Sequence, residues 1–110
     1  MKFEEINRLA LQVRNKYSEL EIAKTGRPWS KSELMQGFMG DVGDLAKLVM
    51  AKDGRRTIED VDAKLAHELS DCLWSVLVLA NKFDVDLEKE FVKTMGHLNN
   101  RINKELANEC

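Results

Sequence analysis

The sequence is short of proline, cysteine and long apolar runs, and each shortage excludes a class of protein. It has one proline, 44% hydrophobic and 33% charged residues, a balance that excludes a disordered chain and favours long helices with solvated faces. The longest apolar run, Cys72 to Ala80, is too short to span a bilayer. We expect a single domain over residues 1–110 with no membrane span.

An excess of positive charge and a metal-binding cysteine pattern are also lacking. Lys and Arg number 17 against 19 Asp and Glu, so no basic field exists to hold a nucleic acid polymer or an anionic membrane. The N-terminal stretch MKFEEINRLA has acids where a secretory signal needs basic and then apolar residues, which predicts a cytoplasmic protein. Cys72 and Cys110 have no metal-ligand spacing and are interpreted as reduced thiols, and His67 and His97 lack a third zinc ligand.

Four segments carry apolar residues at helical spacing, and each has a start or stop signal. Ser30 and Glu33 have the spacing of a capping box, and Trp29 stands where a hydrophobic staple would lie. The predicted helices run from Phe3 to about Ala23 before the TGRP turn, from the N-cap Ser30 to Lys52 before Gly54, from the TIED cap at 57–60 to Phe83, and from the DLEK start at 86–89 into a polar tail ending at Cys110.

Helices of this kind joined by short turns predict an all-α protein of the four-helix bundle type. The third segment is apolar nearly all round in its second half, which predicts that it is the central helix. Its apolar surface, together with the long apolar stripe of the first segment, exceeds what the neighbouring helices cover. A homo-oligomer, either a homodimer or a homotetramer, is therefore expected.

Two pairs of acidic residues stand out within this plan. Asp41 and Asp44 share one face of the second helix, and Glu68 and Asp71 share one face of the third. Because apolar residues flank both pairs, the carboxylates must take up protons, pair with a base or bind a metal ion. Oxygen ligands without His or Cys favour Mg²⁺ or Mn²⁺ over zinc. The alternative is that these are ordinary solvated acids.

The same residues resemble a known signature. Asp41-x-x-Asp44 followed by Glu68-x-x-Asp71, with the flanking stretches VGDLAKL, HELSDCLW and DVDLEKEFVKTMGHLNNRI, is similar to the E-x-x-E and E-x-x-D motifs of the MazG-like all-α nucleoside triphosphate pyrophosphatases. The first motif has Asp where the family usually has Glu, so a metal ion must sit nearer the second helix. Gly40 stands where many members have a further Glu.

The resemblance implies Mg²⁺-dependent hydrolysis of a nucleoside triphosphate between the α and β phosphates, in an oligomer that removes non-standard or excess nucleotides. Asp41, Asp44, Glu68 and Asp71 would then be both metal ligands and catalytic residues. The alternative is a regulator that binds nucleotide or metal with weakened catalysis.

Five further residues are candidates for substrate contact. Lys47 lies one turn beyond Asp44, and Lys93 and Arg101 fall in the part of the last helix that resembles the family, so all three are candidates for the phosphate tail. Surface cations are the alternative for each. Trp74 and Trp29 are candidates for stacking on a base, with core packing and the staple role as their alternatives.

Overall fold

The computed structural model describes residues 1–109, and these form an all-helical protein. The predicted all-α class is confirmed, since the described residues form four helices and no strand. Within that part of the chain, no helix has both the length and the apolarity needed to cross a membrane. The helices are α1 (Phe3–Thr25), α2 (Lys31–Lys52), α3 (Val61–Lys82) and α4 (Leu87–Asn108).

Local signals set most of the helix ends. The predicted capping box of α2 is confirmed: Ser30 Oγ accepts from the Glu33 N–H at 3.1 Å, and Glu33 Oε1 accepts from the Ser30 N–H at 3.0 Å. Arg27 and this cap hold the pKa of Glu33 down at about 2, with the Arg27 hydrogen bond the largest cause. At the end of α1, Gly26 takes a left-handed conformation with φ +84°.

The predicted start of α3 is three residues early, because the predicted cap begins at Thr57 whereas the residue that precedes the helix is Asp60 and the helix begins at Val61. Asp60 has φ +53°, a left-handed conformation that cannot extend the helix toward the N-terminus, and its side chain caps no backbone N–H. The start of α4 agrees with its sequence signal: Asp86 accepts from the Lys89 N–H at 3.2 Å.

Cys72 is a free, half-buried thiol as predicted, and Cys110 lies outside the described residues.

The core lies along α3, which packs against both α2 and α1. Leu77 and Val78 of α3 are each 2% exposed, and Ala10, Leu34 and Leu48 complete the buried apolar set. This arrangement confirms α3 as the central helix. By contrast, α4 has no extensive contact with the other helices and no buried residue between Leu87 and Asn108. A bundle of four helices is therefore incomplete within a single chain.

Candidate functional site

Three carboxylates converge where α2 packs along α3. Asp41 and Asp44 project from α2 and Glu68 from α3, and one oxygen of each lies within 4.8 Å of the others. The spacing of three residues puts the two aspartates on one helix face, and the packing of the helices adds the glutamate. We call these three residues the acidic cluster.

Burial and repulsion from neighbouring carboxylates disfavour the charged forms of Glu68 and Asp41. Burial, followed by the charges of Asp41, Asp71 and Asp44, raises the pKa of Glu68 above its usual value. The pKa of Asp41 is raised in the same way, by burial first and then by Asp71 and Asp44. The nearby His67 opposes both shifts. A cation held between the carboxylates would remove the repulsion.

The acidic cluster fits a hard divalent cation. Glu68 Oε2 is buried and has no hydrogen-bond partner in the structure, which is costly for a carboxylate oxygen unless a cation or proton satisfies it. The donors are carboxylate oxygens, the ligands that Mg²⁺ and Mn²⁺ take in proteins. Asp41, Asp44 and Glu68 would hold the ion.

Asp71, the fourth predicted ligand, does not join the acidic cluster in this structure. Its Oδ2 lies 3.2 Å from Nε2 of His67, one turn earlier on α3. Asp71 nevertheless shares the wall of a cavity with Asp41. The predicted set of four carboxylates is thus divided into three that converge and one that faces a histidine.

A cavity of about 400 Å³ opens on one side of the acidic cluster, between α1, α2 and α3. Tyr17, Trp29, Phe38 and Trp74 supply aromatic rings to its wall, together with Asp41 and Asp71. Trp74 is fixed there, because its Nε1 donates to the Ala10 carbonyl at 2.9 Å and its ring lies 5.6 Å from that of Tyr17. We call this space the aromatic cavity; it contains both tryptophans that the sequence singled out.

A second cavity, of about 440 Å³, lies on the other side of the acidic cluster. Asp44 and Glu68 line it together with two cations, Lys47 and Lys64. His67 lines both cavities. We call this space the lysine cavity; the structure puts the predicted Lys47 beside the acids and adds Lys64, which the sequence analysis did not select.

The two α4 candidates lie elsewhere. Neither Lys93 nor Arg101 lines the aromatic or the lysine cavity. Arg101 instead stands on the exposed face of α4, with its Nε 3.7 Å from Glu105 Oε1. The structure therefore does not bring these two residues together with the acidic cluster.

Of the three glycines in α2, only Gly37 makes room for a neighbouring side chain. A Cβ on Gly37 would lie 3.1 Å from Cζ3 of Trp29, so this glycine makes room for the indole ring. A Cβ on Gly40 or Gly43 would meet nothing within 4 Å in the chain.

Sequence reasoning missed the α1 wall of the aromatic cavity. Arg14 and Glu21 line it beside Tyr17, and Arg14 is a buried charged residue. The signal that was available is their spacing: Ala10, Arg14, Tyr17 and Glu21 fall on one face of α1.

Comparison of the chain with family models, with curated proteins and with solved structures finds no match.

Proposed function

We propose that this protein is a MazG-like, Mg²⁺-dependent nucleoside triphosphate pyrophosphohydrolase that yields a nucleoside monophosphate and pyrophosphate. One observation carries the proposal: the acidic cluster, with its unpartnered Glu68 oxygen, lies between an aromatic cavity and a lysine cavity. Aromatic rings suit a base, lysines suit phosphates, and a metal-binding centre between them suits the bond that is broken. Mn²⁺ is expected to substitute for Mg²⁺.

The linings of the two cavities support one orientation for a bound substrate. The base would enter the aromatic cavity, where Trp29 and Trp74 offer ring faces for stacking. The phosphates would cross the acidic cluster and end near Lys47 and Lys64, whose charges offset those of the terminal phosphates. This orientation brings the α phosphate next to the acids.

In the proposed reaction the acidic cluster binds the metal ion and Asp71 accepts a proton. Asp41, Asp44 and Glu68 would hold a divalent ion, which would neutralise charge at the phosphate oxygens and lower the pKa of a bound water. Asp71 is outside the converging set yet on the same cavity wall, so it is the carboxylate available to take the proton of the attacking water. The water oxygen bonds to the α phosphorus, the bond to the bridging oxygen breaks, and pyrophosphate leaves with that oxygen.

The assembly we propose is a homo-oligomer, a homodimer or homotetramer. A monomeric protein of 12.6 kDa exposes about 6,200 Å² of surface, and this chain exposes 8581 Å². The excess of about 2,400 Å² matches the share of one subunit in an obligate interface. Phe91, Met95, Leu98 and Ile102 are all exposed on α4, at the alternating spacing of four and three residues that helices use to pack against each other.

A solution measurement tests this assembly. Light scattering coupled to size exclusion should give a mass at least twice that of the chain, and Leu98→Asp should reduce it, because a charge in the apolar seam cannot be buried unpaired. A monomeric wild-type protein would contradict the proposed assembly.

Pyrophosphate release tests the activity. Purified protein is incubated with dATP, dCTP, dGTP, dTTP, dUTP and the ribonucleotides, in Mg²⁺, in Mn²⁺ and in chelator. Metal-dependent release is expected for at least one nucleotide, and Asp44→Asn and Glu68→Gln should each abolish it. Glu19→Gln, which removes the same charge from an exposed site on α1, should leave it intact.

Either of two results would contradict the hydrolase. Turnover that survives both Asp44→Asn and Glu68→Gln would show that the carboxylates do not carry the chemistry. No turnover on any nucleotide, combined with Mg²⁺-dependent stabilisation by nucleotide, would select a binding protein with a regulatory role instead.

A further inference from the structure

A buried ion pair lies in the wall of the aromatic cavity away from the acidic cluster. Arg14 is 5% exposed, and its Nη2 donates a hydrogen bond to Glu21 Oε1, whose side chain is 14% exposed. Both residues belong to α1, seven positions apart, and Ser18 Oγ between them accepts from the same guanidinium at 3.4 Å. The guanidinium is therefore held by two acceptors on its own helix.

The ion pair also contacts the segment that carries Trp29. Glu21 Oε1 accepts a second hydrogen bond, 2.8 Å long, from the backbone N–H of Trp29. The guanidinium carbon of Arg14 lies 6.0 Å from the centre of the Trp29 ring, at the outer limit of a cation–π contact. One carboxylate oxygen thus ties α1 to the residue that precedes the Ser30 cap, and the arginine lies beside its ring.

Stability alone does not account for this arrangement. Burying two charges costs several kcal/mol of desolvation, and apolar residues of similar volume are often as stable or more stable. Unlike apolar residues, a hydrogen-bonded ion pair holds its partners in one fixed geometry. Here the geometry concerns Trp29, which has no regular helix to hold it, and whose ring also lies against Gly37.

We propose that Arg14 and Glu21 are positioning residues that fix Trp29 as a wall of the aromatic cavity. In this role they govern how tightly a base is held, and they leave the chemistry at the acidic cluster unchanged. This inference rests on the proposed function for its substrate, a nucleoside triphosphate, and on the geometry alone for the placement of Trp29.

A spectroscopic experiment tests the placement without any substrate. The chain has two tryptophans, so 5-fluorotryptophan labelling yields two ¹⁹F resonances, assigned with Trp74→Phe. In Glu21→Gln the charge pairing with Arg14 is lost, and the Trp29 resonance should move toward its position in the unfolded chain. The Trp74 resonance should stay, because the hydrogen bond to Ala10 holds that ring independently.

The matched control is Glu4→Gln, which breaks the exposed Arg8 pair on the same helix and should move neither resonance. An unchanged Trp29 resonance in Glu21→Gln would overturn the proposal. If the Trp74 resonance also collapses, the variant has lost its fold and Arg14→Lys decides in its place. That variant keeps the charge but removes the planar guanidinium, so Trp29 should still move, and an unmoved Trp29 would overturn the proposal.

A kinetic experiment tests the consequence for the substrate. With any of dATP, dCTP, dGTP, dTTP or dUTP that the wild-type protein hydrolyses, Glu21→Gln should raise KM about tenfold and change kcat by less than about twofold. A loss of kcat at unchanged KM would overturn the positioning role. If the wild-type protein hydrolyses none of these deoxynucleotides and none of the ribonucleotides, the proposed function fails, whereas the ¹⁹F experiment still decides the placement of Trp29.

Discussion

Replacing Glu68 with glutamine should stabilise the metal-free protein and remove its response to Mg²⁺. The structure gives the magnitude, because one oxygen of Glu68 lies within 4.8 Å of an oxygen of both Asp41 and Asp44. Two unit charges at that distance repel by about 0.9 kcal/mol in water and by about 3.5 kcal/mol at a protein-like dielectric constant of about 20. Asp44 is exposed, so we take about 1 kcal/mol for each of the two pairs.

The substitution removes both repulsions but leaves a buried polar group in place. We therefore expect a net gain of about 1–2 kcal/mol in the free energy of unfolding in chelator, or about 5–10 °C in Tm for a domain of this size. Glu68→Met also removes the unpartnered oxygen and should gain at least as much. The assay is thermal unfolding at one fixed protein concentration.

Magnesium should reverse the order of stability. At 100 times its dissociation constant, Mg²⁺ should stabilise the wild-type protein by about 2.7 kcal/mol and Glu68→Gln by much less. Glu19→Gln serves as the control and should follow the wild type in both conditions. The metal-site reasoning is refuted if Glu68→Gln is less stable than wild type in chelator, or if Mg²⁺ stabilises both proteins equally.

Three further predictions concern the acidic pH range, the α2 cap and the cavity wall. The pKa values of Asp41 and Glu68 are raised above their usual values of 3.8 and 4.5, so these groups bind protons more tightly in the folded chain than in the unfolded chain. Their contribution to stability in chelator should therefore fall as pH rises from about 4 toward 7, while Glu33, with its lowered pKa, contributes in the opposite direction in wild type and variant alike. Urea unfolding at each pH should show wild type losing stability relative to Glu68→Gln as pH rises, and a constant difference would contradict the raised pKa values. Ser30→Ala should cost about 1 kcal/mol in the same assay, because the cap of α2 is lost, and an unchanged midpoint would contradict that role. Gly37→Ala should raise KM without lowering kcat, since the new methyl group displaces the Trp29 ring, and an unchanged KM would show that the ring yields freely.

The acidic cluster was accessible to sequence reasoning because its members obey a short-range rule. Carboxylates three residues apart share a helix face, and consecutive helices joined by a short turn pack side by side, so Asp41, Asp44 and Glu68 were expected to meet. The orientation of Asp71 toward His67 was not predicted. Both His67 and the acidic cluster are within reach of this side chain, and sequence spacing alone does not decide which of them it faces.

The helix boundaries also show that sequence reasoning succeeds where a short-range rule applies and fails where it does not. The Ser30 and Asp86 caps were predicted correctly, because the donor of each cap lies only three residues along the chain. The start of α3 was not predicted correctly, because the stretch 57–60 offers more than one acceptable capping residue. The left-handed conformation of Asp60, which ends the helix there, is not visible in the sequence.

The sequence by itself therefore determined the helical class, the main helices and the pairing of acids on two faces, all of which follow from side chains a few residues apart. Only the tertiary structure decided that Arg14 and Glu21 are buried beside Trp29, and that Lys64 joins Lys47 beside the acids. It also decided that α4 keeps its apolar face exposed within the chain. An amphipathic pattern fixes which face of a helix must be covered, but the element that covers it is chosen by packing between distant parts of the chain or between chains.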